Sequence, residues 1–226
     1  MRLKLLATTA VLFCSLFTQA QNTTPIKYGG RFMLGIRSTS SLFTQAGDPG
    51  LGVGGQFRIR LSRRINTEWF ADYINTDIGG LGHRTDGHIG WSVMFYLREP
   101  EVFAPSPGGN IDVKKPSYFR RLTPYLLAGH CFDYTWIRTT NTFAYNEVKR
   151  WSSAVQAGAG VHLNIGRVTD LSLSAQYMMH LGDDVHAHIE EVNWIRYLHI
   201  EEHQGFSAEG HLLLTLSCNF RIADLW

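Results

Sequence analysis

The feature that most constrains this chain is a period of two. In segment after segment every second residue is apolar while those between are Gly, Ser, Gln, Arg or His, and only a strand sends successive side chains to opposite faces. Phe32, Leu34 and Ile36 alternate with Arg31, Met33, Gly35 and Arg37. Leu51, Val53, Phe57, Ile59 and Leu61 alternate with Gly52, Gly54, Gln56, Arg58 and Arg60, and Trp69, Ala71 and Tyr73 with Glu68, Phe70 and Asp72. Ile89, Trp91, Val93, Phe95 and Leu97 oppose His88, Gly90, Ser92, Met94 and Tyr96. The habit returns in Trp151 to Ile165, in Leu171 to His180 and in Leu212 to Arg221. One segment, Leu122 to Trp136, is apolar on both parities. Placing Tyr125, Leu127, Gly129, Cys131 and Asp133 on its polar side leaves His130 among the apolar residues, and the opposite choice strands Asp133, so its facing stays open.

These eight segments are roughly 8 to 13 residues long, enough to cross an outer membrane when tilted. The connections alternate in length. Ser38–Gly50, Asn75–Gly87, Thr139–Arg150 and Gly182–Gln204 are long, whereas Arg63–Asn66 and Gly166–Asp170 are short. Long loops on one side and tight turns on the other are the arrangement of transmembrane barrels, the long ones extracellular. Glu99–Arg120, with Pro100, Pro105, Pro107 and Pro116, is long where a short turn is expected.

The same pattern also suits a small soluble barrel, with the apolar parity inside. Two observations favour lipid. Aromatic residues sit toward the strand ends on the apolar parity (Trp69, Tyr73, Trp91, Trp151, Tyr177, Phe220), as interfacial girdles require, and the polar parity carries Gly35, Gly52, Gly54, Gly90, Gly158 and Gly160, as a crowded interior requires. Unpaired strand edges in lipid cost several kcal/mol per backbone group, so the sheet must close. The expected fold is all-β: a closed eight-stranded antiparallel up-and-down transmembrane β-barrel. Walking up and down from a periplasmic N-terminus brings Arg31, Arg58, Arg60, Glu68 and Arg221 near the periplasmic end facing inward, with Asp72 slightly deeper. We expect these six to form an interior ion-pair network that fills the lumen.

The N-terminus reads as a cleaved signal peptide over residues 1–20: Arg2 and Lys4, an apolar run Leu5 to Phe17, and small residues before Ala20. Export through it leaves residues 21–226 as the barrel domain and places the chain in a Gram-negative outer membrane. Its removal takes two cations and no acid, so the net charge of +2 falls to zero. With 21 Lys plus Arg against 19 Asp plus Glu, no basic face points to nucleic acid. Cys131 and Cys218 are too few for a disulfide framework and read as unpaired apolar residues, although an oxidising compartment would allow a bridge.

The stretches Leu122-Thr-Pro-Tyr-Leu-Leu-Ala-Gly129, Ala157-Gly-Ala-Gly-Val-His-Leu163, Leu171-Ser-Leu-Ser-Ala-Gln-Tyr177 and the final strand Gly210 to Phe220 resemble the small eight-stranded outer-membrane barrels, the group of the OmpA transmembrane domain, OmpX-like and OmpW-like proteins. The resemblance implies a monomer with a structural or surface-interaction role through extracellular loops. Its partners would be outer-membrane lipid and lipopolysaccharide, the barrel insertion machinery, and an extracellular ligand that the sequence does not name. A narrow channel or carrier for small solutes is the alternative, and a lipid A modifying enzyme the third reading. The deacylases of that kind need a His and a Ser two residues apart on a late strand, plus an acid to orient the His, and His180-Leu-Gly-Asp-Asp184 offers no Ser there. No catalytic residue, cofactor site or metal site is assigned, and the chain is not read as an enzyme. The last long loop holds His186-x-His188 and His199-Ile-Glu-Glu-His203 among acids. Imidazoles four apart on a helix can share a divalent metal, but a solvated acidic loop is the plainer reading.

Overall fold

The structure, a computed structural model, describes residues 29–43, 49–99, 122–140, 146–165, 168–182, 184–192, 194–203 and 210–226. The alternating segments form β1 (Arg31–Phe43), β2 (Gly50–Arg60), β3 (Ile65–Ile78), β4 (Gly82–Tyr96), β5 (Leu122–Thr139), β6 (Glu147–Asn164), β7 (Thr169–His180) and β10 (Gly210–Asp224). A further pair, β8 (Asp184–Val192) and β9 (Ile195–His203), lies between β7 and β10. Eight strands close into a barrel in the order β1-β10-β7-β6-β5-β4-β3-β2, while β8 and β9 form a separate two-stranded hairpin. Every ladder is antiparallel, and the seam joins Leu34 to Phe220 and Ile36 to Cys218. Closure removes the unpaired edges that lipid does not tolerate.

Burial is inverted relative to a water-soluble protein. Ile36 and Val53 are 70% and 69% exposed, whereas Arg58 and Asp133 are 2% and 0% exposed. Such a surface suits hydrocarbon and not water, since each apolar side chain facing water forgoes about 1.5–3 kcal/mol of transfer energy. On the outer wall Phe32, Phe57, Trp69 and Trp91 form a ladder across β1 to β4, with neighbouring ring centroids 6.0, 6.0 and 6.3 Å apart. Above it Gly55 and Ala71 floor an apolar groove of about 660 Å³ between Ile36 and Ile89.

The structure decides the facing of β5. Tyr125, Leu127, Cys131 and Asp133 point into the barrel, because a carboxylate gains ion-pair partners there and would have none in lipid. His130 is left on the outer wall, where its Nε2 meets Ser153 Oγ at 2.6 Å and Phe132 packs edge-on against the ring. Cys131 and Cys218 are both free. Cys131 faces the lumen, with its thiol 3.6 Å from Met178 Sδ, and Cys218 lies on the outward parity of β10 between buried Ser217 and Asn219.

Four loop expectations are corrected. Ser38–Gly50 is shortened, since β1 runs on to Phe43 and β2 starts at Gly50. Asn75–Gly87 is no long loop: β3 and β4 run on to Ile78 and Gly82 and join through Gly79, Gly80 and Leu81. Gly79 and Gly80 adopt φ of 59° and 73°, conformations that glycine takes without strain. Thr139–Arg150 is shortened likewise, since β5 ends at Thr139 and β6 starts at Glu147. Gly182–Gln204 contains the β8–β9 hairpin. The common reason is that these strand ends project beyond the apolar belt, so no lipid-facing parity marks them although the ladder continues. Residues 1–20 and nearly all of the 99–120 connection lie outside the described residues.

Candidate functional site

The lumen is filled by two polar layers with an apolar layer between them. In the layer toward the end of the barrel where β1 begins, Arg58 of β2 is central. Its Nε donates to Glu68 Oε2 at 2.7 Å and its Nη2 lies 2.5 Å from the same oxygen. It also donates to Ser172 Oγ at 2.9 Å and reaches Asp170 at 3.5 Å. Arg37 joins from β1, with Nη1 3.3 Å from Glu68 Oε1 and Nε 3.0 Å from Asp72 Oδ1. Its guanidinium lies 4.3 Å over the Phe70 ring. Beneath them Tyr125 stacks on His162, Tyr96 meets Tyr125 edge-on and His162 at a tilt, and Arg60 sits 5.2 Å over Tyr96.

The middle layer is Phe70, Ile74, Cys131, Ala154, Met178 and Leu213. The second polar layer centres on Asp133 of β5. His88 Nε2 approaches Asp133 Oδ1 at 3.2 Å, His180 Nδ1 approaches Oδ2 at 3.3 Å, and Arg150 Nη2 donates to Oδ2 at 2.7 Å. Thr135 links this group to Asp86 at 2.8 Å, which in turn accepts from Arg84 Nε at 2.9 Å.

Two of these contacts span the full diameter. In the order of strands around the wall, β2 stands four places from β6, and β4 four places from β10. Arg58 Nη1 reaches His162 Nδ1 at 3.5 Å across the first diameter, and the rings of His88 and His211 stack 5.8 Å apart across the second. Among the described residues the buried charges balance: Arg37, Arg58, Arg60, Arg84 and Arg150 against Glu68, Asp72, Asp86, Asp133 and Asp170. Nine of these ten meet an opposite charge within 3.5 Å and Arg60 packs over Tyr96, which limits unpaired charge in a confined low-dielectric space.

Of the six residues singled out from sequence, Arg58, Arg60, Glu68 and Asp72 are buried in the lumen, with Arg58, Glu68 and Asp72 in direct ion pairs. Arg31 is half-buried at the rim where β1 begins, in register with Asp224. Arg221 stands at that rim and donates from Nε to Asp224 at 3.2 Å. The structure adds Arg37, Asp170 and the whole Asp133 layer. Arg37 already lay on the polar parity of its strand, so the signal was present. Arg84 and Asp86 fell in a presumed loop, and Asp133 in the strand of ambiguous facing.

A second constellation lies at the opposite end of the barrel. In the β8–β9 hairpin His188 stands opposite His199 and Glu190 opposite Tyr197. The other face of the hairpin carries Val185, Ala187, Ile189, Leu198 and Ile200, which pack with Val148 on Ile78 and Ile137 of the barrel. The hairpin is therefore amphipathic, and its apolar face is seated on the barrel rim. On the outward face Glu190 Oε1 meets His188 Nε2 at 3.1 Å and His199 Nδ1 at 3.0 Å, while the Tyr197 hydroxyl donates to the other oxygen. The hydrogen bonds from Tyr197, His188 and His199 pull the Glu190 carboxyl down to about 2, and the same contact raises Tyr197.

No protein-family model matches the chain, and no curated protein matches it. Solved structures do. A major outer membrane protein from Thermus thermophilus superposes with a TM-score of 0.51 at 8% identity, over 84% of this chain and 98% of that one. Neisserial surface protein A gives 0.47 at 10% identity over 87% and 99%, and the Escherichia coli outer membrane protein W gives 0.42 at 14% identity over 87% and 100%. The shared architecture with the first of these agrees with the inverted burial and the closed ladder. The chain has the fold of an eight-stranded outer-membrane β-barrel, with an apolar outer belt suited to lipid.

Proposed function

We propose that this protein is a non-conducting outer-membrane barrel that acts through its extracellular end, a structural or surface-interaction role and not a catalytic one. The observation that carries the reading is the pair of side-chain bridges across the diameter, Arg58 to His162 and His88 to His211, within a charge-balanced lumen. An eight-stranded barrel has an interior that side chains just fill, so solute passage would require these groups to separate and leave buried charge unpaired. The extracellular end, by contrast, carries strands that outrun the apolar belt and a seated hairpin with a polar outward face.

In this reading the chain works as a monomer, with outer-membrane lipid and lipopolysaccharide around its belt, and meets the insertion machinery during assembly. Reconstitution into planar bilayers tests the reading directly. The expected record is flat, without discrete openings. Unitary steps that vanish when the protein is omitted would refute it and establish the narrow-channel alternative.

A further inference from the structure

The outward face of the β8–β9 hairpin meets the requirements of a metal site. His188 and His199 are cross-strand partners with ring centroids 5.2 Å apart and planes 28° from parallel. One donor atom each from His188, His199 and Glu201 lies within 4.8 Å of the others. Donors bound to one tetrahedral ion at about 2.0–2.2 Å stand roughly 3.3–3.5 Å apart, so closure on an ion requires the three side chains to draw together by about 1 Å.

A second observation, independent of that proximity, comes from Glu190. An ionised carboxylate only accepts hydrogen bonds, so the two imidazole nitrogens that meet Glu190 Oε1, Nε2 of His188 and Nδ1 of His199, must be the protonated ones. In a neutral ring the lone pair then falls on the other nitrogen, Nδ1 of His188 and Nε2 of His199. A carboxylate behind a ligating imidazole is the usual outer shell of a metal-bound histidine, because it fixes both tautomer and ring orientation. Tyr197 in turn holds Glu190 through the second oxygen. The backbone pairing of β8 and β9 fixes the two rings before any ion arrives, which lowers the ordering cost of binding.

We propose that His188, His199 and Glu201 form a binding site for a divalent transition-metal ion, with Glu190 as the outer-shell orienting group and water completing the coordination. Two imidazoles with one carboxylate suit zinc, copper or nickel and not calcium or magnesium, which prefer all-oxygen shells. The site lies at the extracellular end, where the imidazoles remain accessible to ions. Because the opposite face of the same hairpin is seated on Ile78 and Ile137, an ion that ties β8 to β9 also stabilises this seating at the barrel mouth. The inference is independent of whether the lumen conducts.

The test uses the full folded barrel in detergent, stripped with a chelator, and titrates Zn²⁺ in competition with a chromophoric zinc indicator. We expect one tight equivalent per chain. His188→Ala and His199→Ala should each weaken it at least tenfold, and Glu190→Gln by ~10–100-fold. His83→Ala, at an exposed imidazole 3.8 Å from Asp77 outside the hairpin, should leave it unchanged. Folding of each variant is read from its heat-dependent gel mobility. Hydrogen exchange on the unmodified protein adds a reading that needs no variant: Zn²⁺ should slow exchange across β8 and β9 and leave β2 and β3 untouched. No stoichiometric uptake, folded His188→Ala and His199→Ala proteins that bind as the parent does, or hairpin exchange that Zn²⁺ does not alter would each overturn the proposal.

Discussion

Replacing Arg58 by Met removes the cation that Glu68 meets at 2.7 and 2.5 Å, together with the donor to Ser172 at 2.9 Å. Glu68 would keep only Arg37, at 3.3 Å, and the lumen would hold one more anion than cations. Breaking a buried pair from one side costs about 3–5 kcal/mol, because the remaining charge stays desolvated. Glu68→Leu should cost a similar amount, since Arg58 would keep only Asp170, at 3.5 Å. The double variant Arg58→Met/Glu68→Leu restores the balance of charge. Arg37 then retains Asp72 at 3.0 Å, and Asp170 retains the Asn219 amide at 2.8 Å. Its cost should fall below ~2 kcal/mol, less than either single change, since removing both partners together leaves little unpaired. Urea titration of the refolded barrels in lipid vesicles, followed by tryptophan fluorescence and heat-dependent mobility, measures all three. If the two single costs add to the double within about 0.5 kcal/mol, the pair is uncoupled, the lumen is hydrated, and the filled interior is wrong.

Other perturbations probe the remaining parts. Ile36→Arg, at the middle of the apolar belt, should destabilise the barrel by ~2–4 kcal/mol in the same titration, and Leu225→Arg at the rim just after β10 by no more than about 1 kcal/mol; equal effects would contradict the assigned membrane position. Gly54→Ala puts a methyl against Asp72 Oδ1 and the Ala71 carbonyl, whereas at the next residue Gly55→Ala meets nothing nearer than the Gly35 oxygen at 3.9 Å. The first should cost ~1–3 kcal/mol and the second should be neutral within about 0.5 kcal/mol, and a reversal would reverse the facing of β2. Thiol titration of the heat-unfolded chain without reductant should count both Cys131 and Cys218, and a shortfall made good by reductant would reveal a bridge.

Much of the barrel was legible because lipid imposes a parity. Along β2 the set Leu51, Val53, Phe57 and Ile59 must face hydrocarbon, which leaves Arg58 and Arg60 inside with no knowledge of neighbours. The same reasoning failed where the constraint lapses. Asn75 and Asp77 face water where β3 runs beyond the belt, while Thr76 between them is buried, so no lipid-facing parity marked the segment and a real strand read as a loop. Around Asp133 both parities were apolar, and no local rule could choose between stranding an acid and exposing His130. The His and Glu residues of the last loop were visible, but four-residue spacing suggested a helical face. The actual pairing sets His188 opposite His199 across a turn.

What alternation and energetics determined on their own was the class: strands of membrane length, one face for lipid, a closed sheet, and charges sent inward. These follow from single-residue transfer energies, which need no partner to be evaluated. Which charge meets which was decided by the tertiary structure alone. Arg58 and Ser172 lie 114 residues apart. Four strands, β4, β5, β7 and β10, bring His88, Asp133, His180 and His211 to one level of the lumen. Strand order, register and closure set those meetings, and they are properties of the whole ring, written in no single strand.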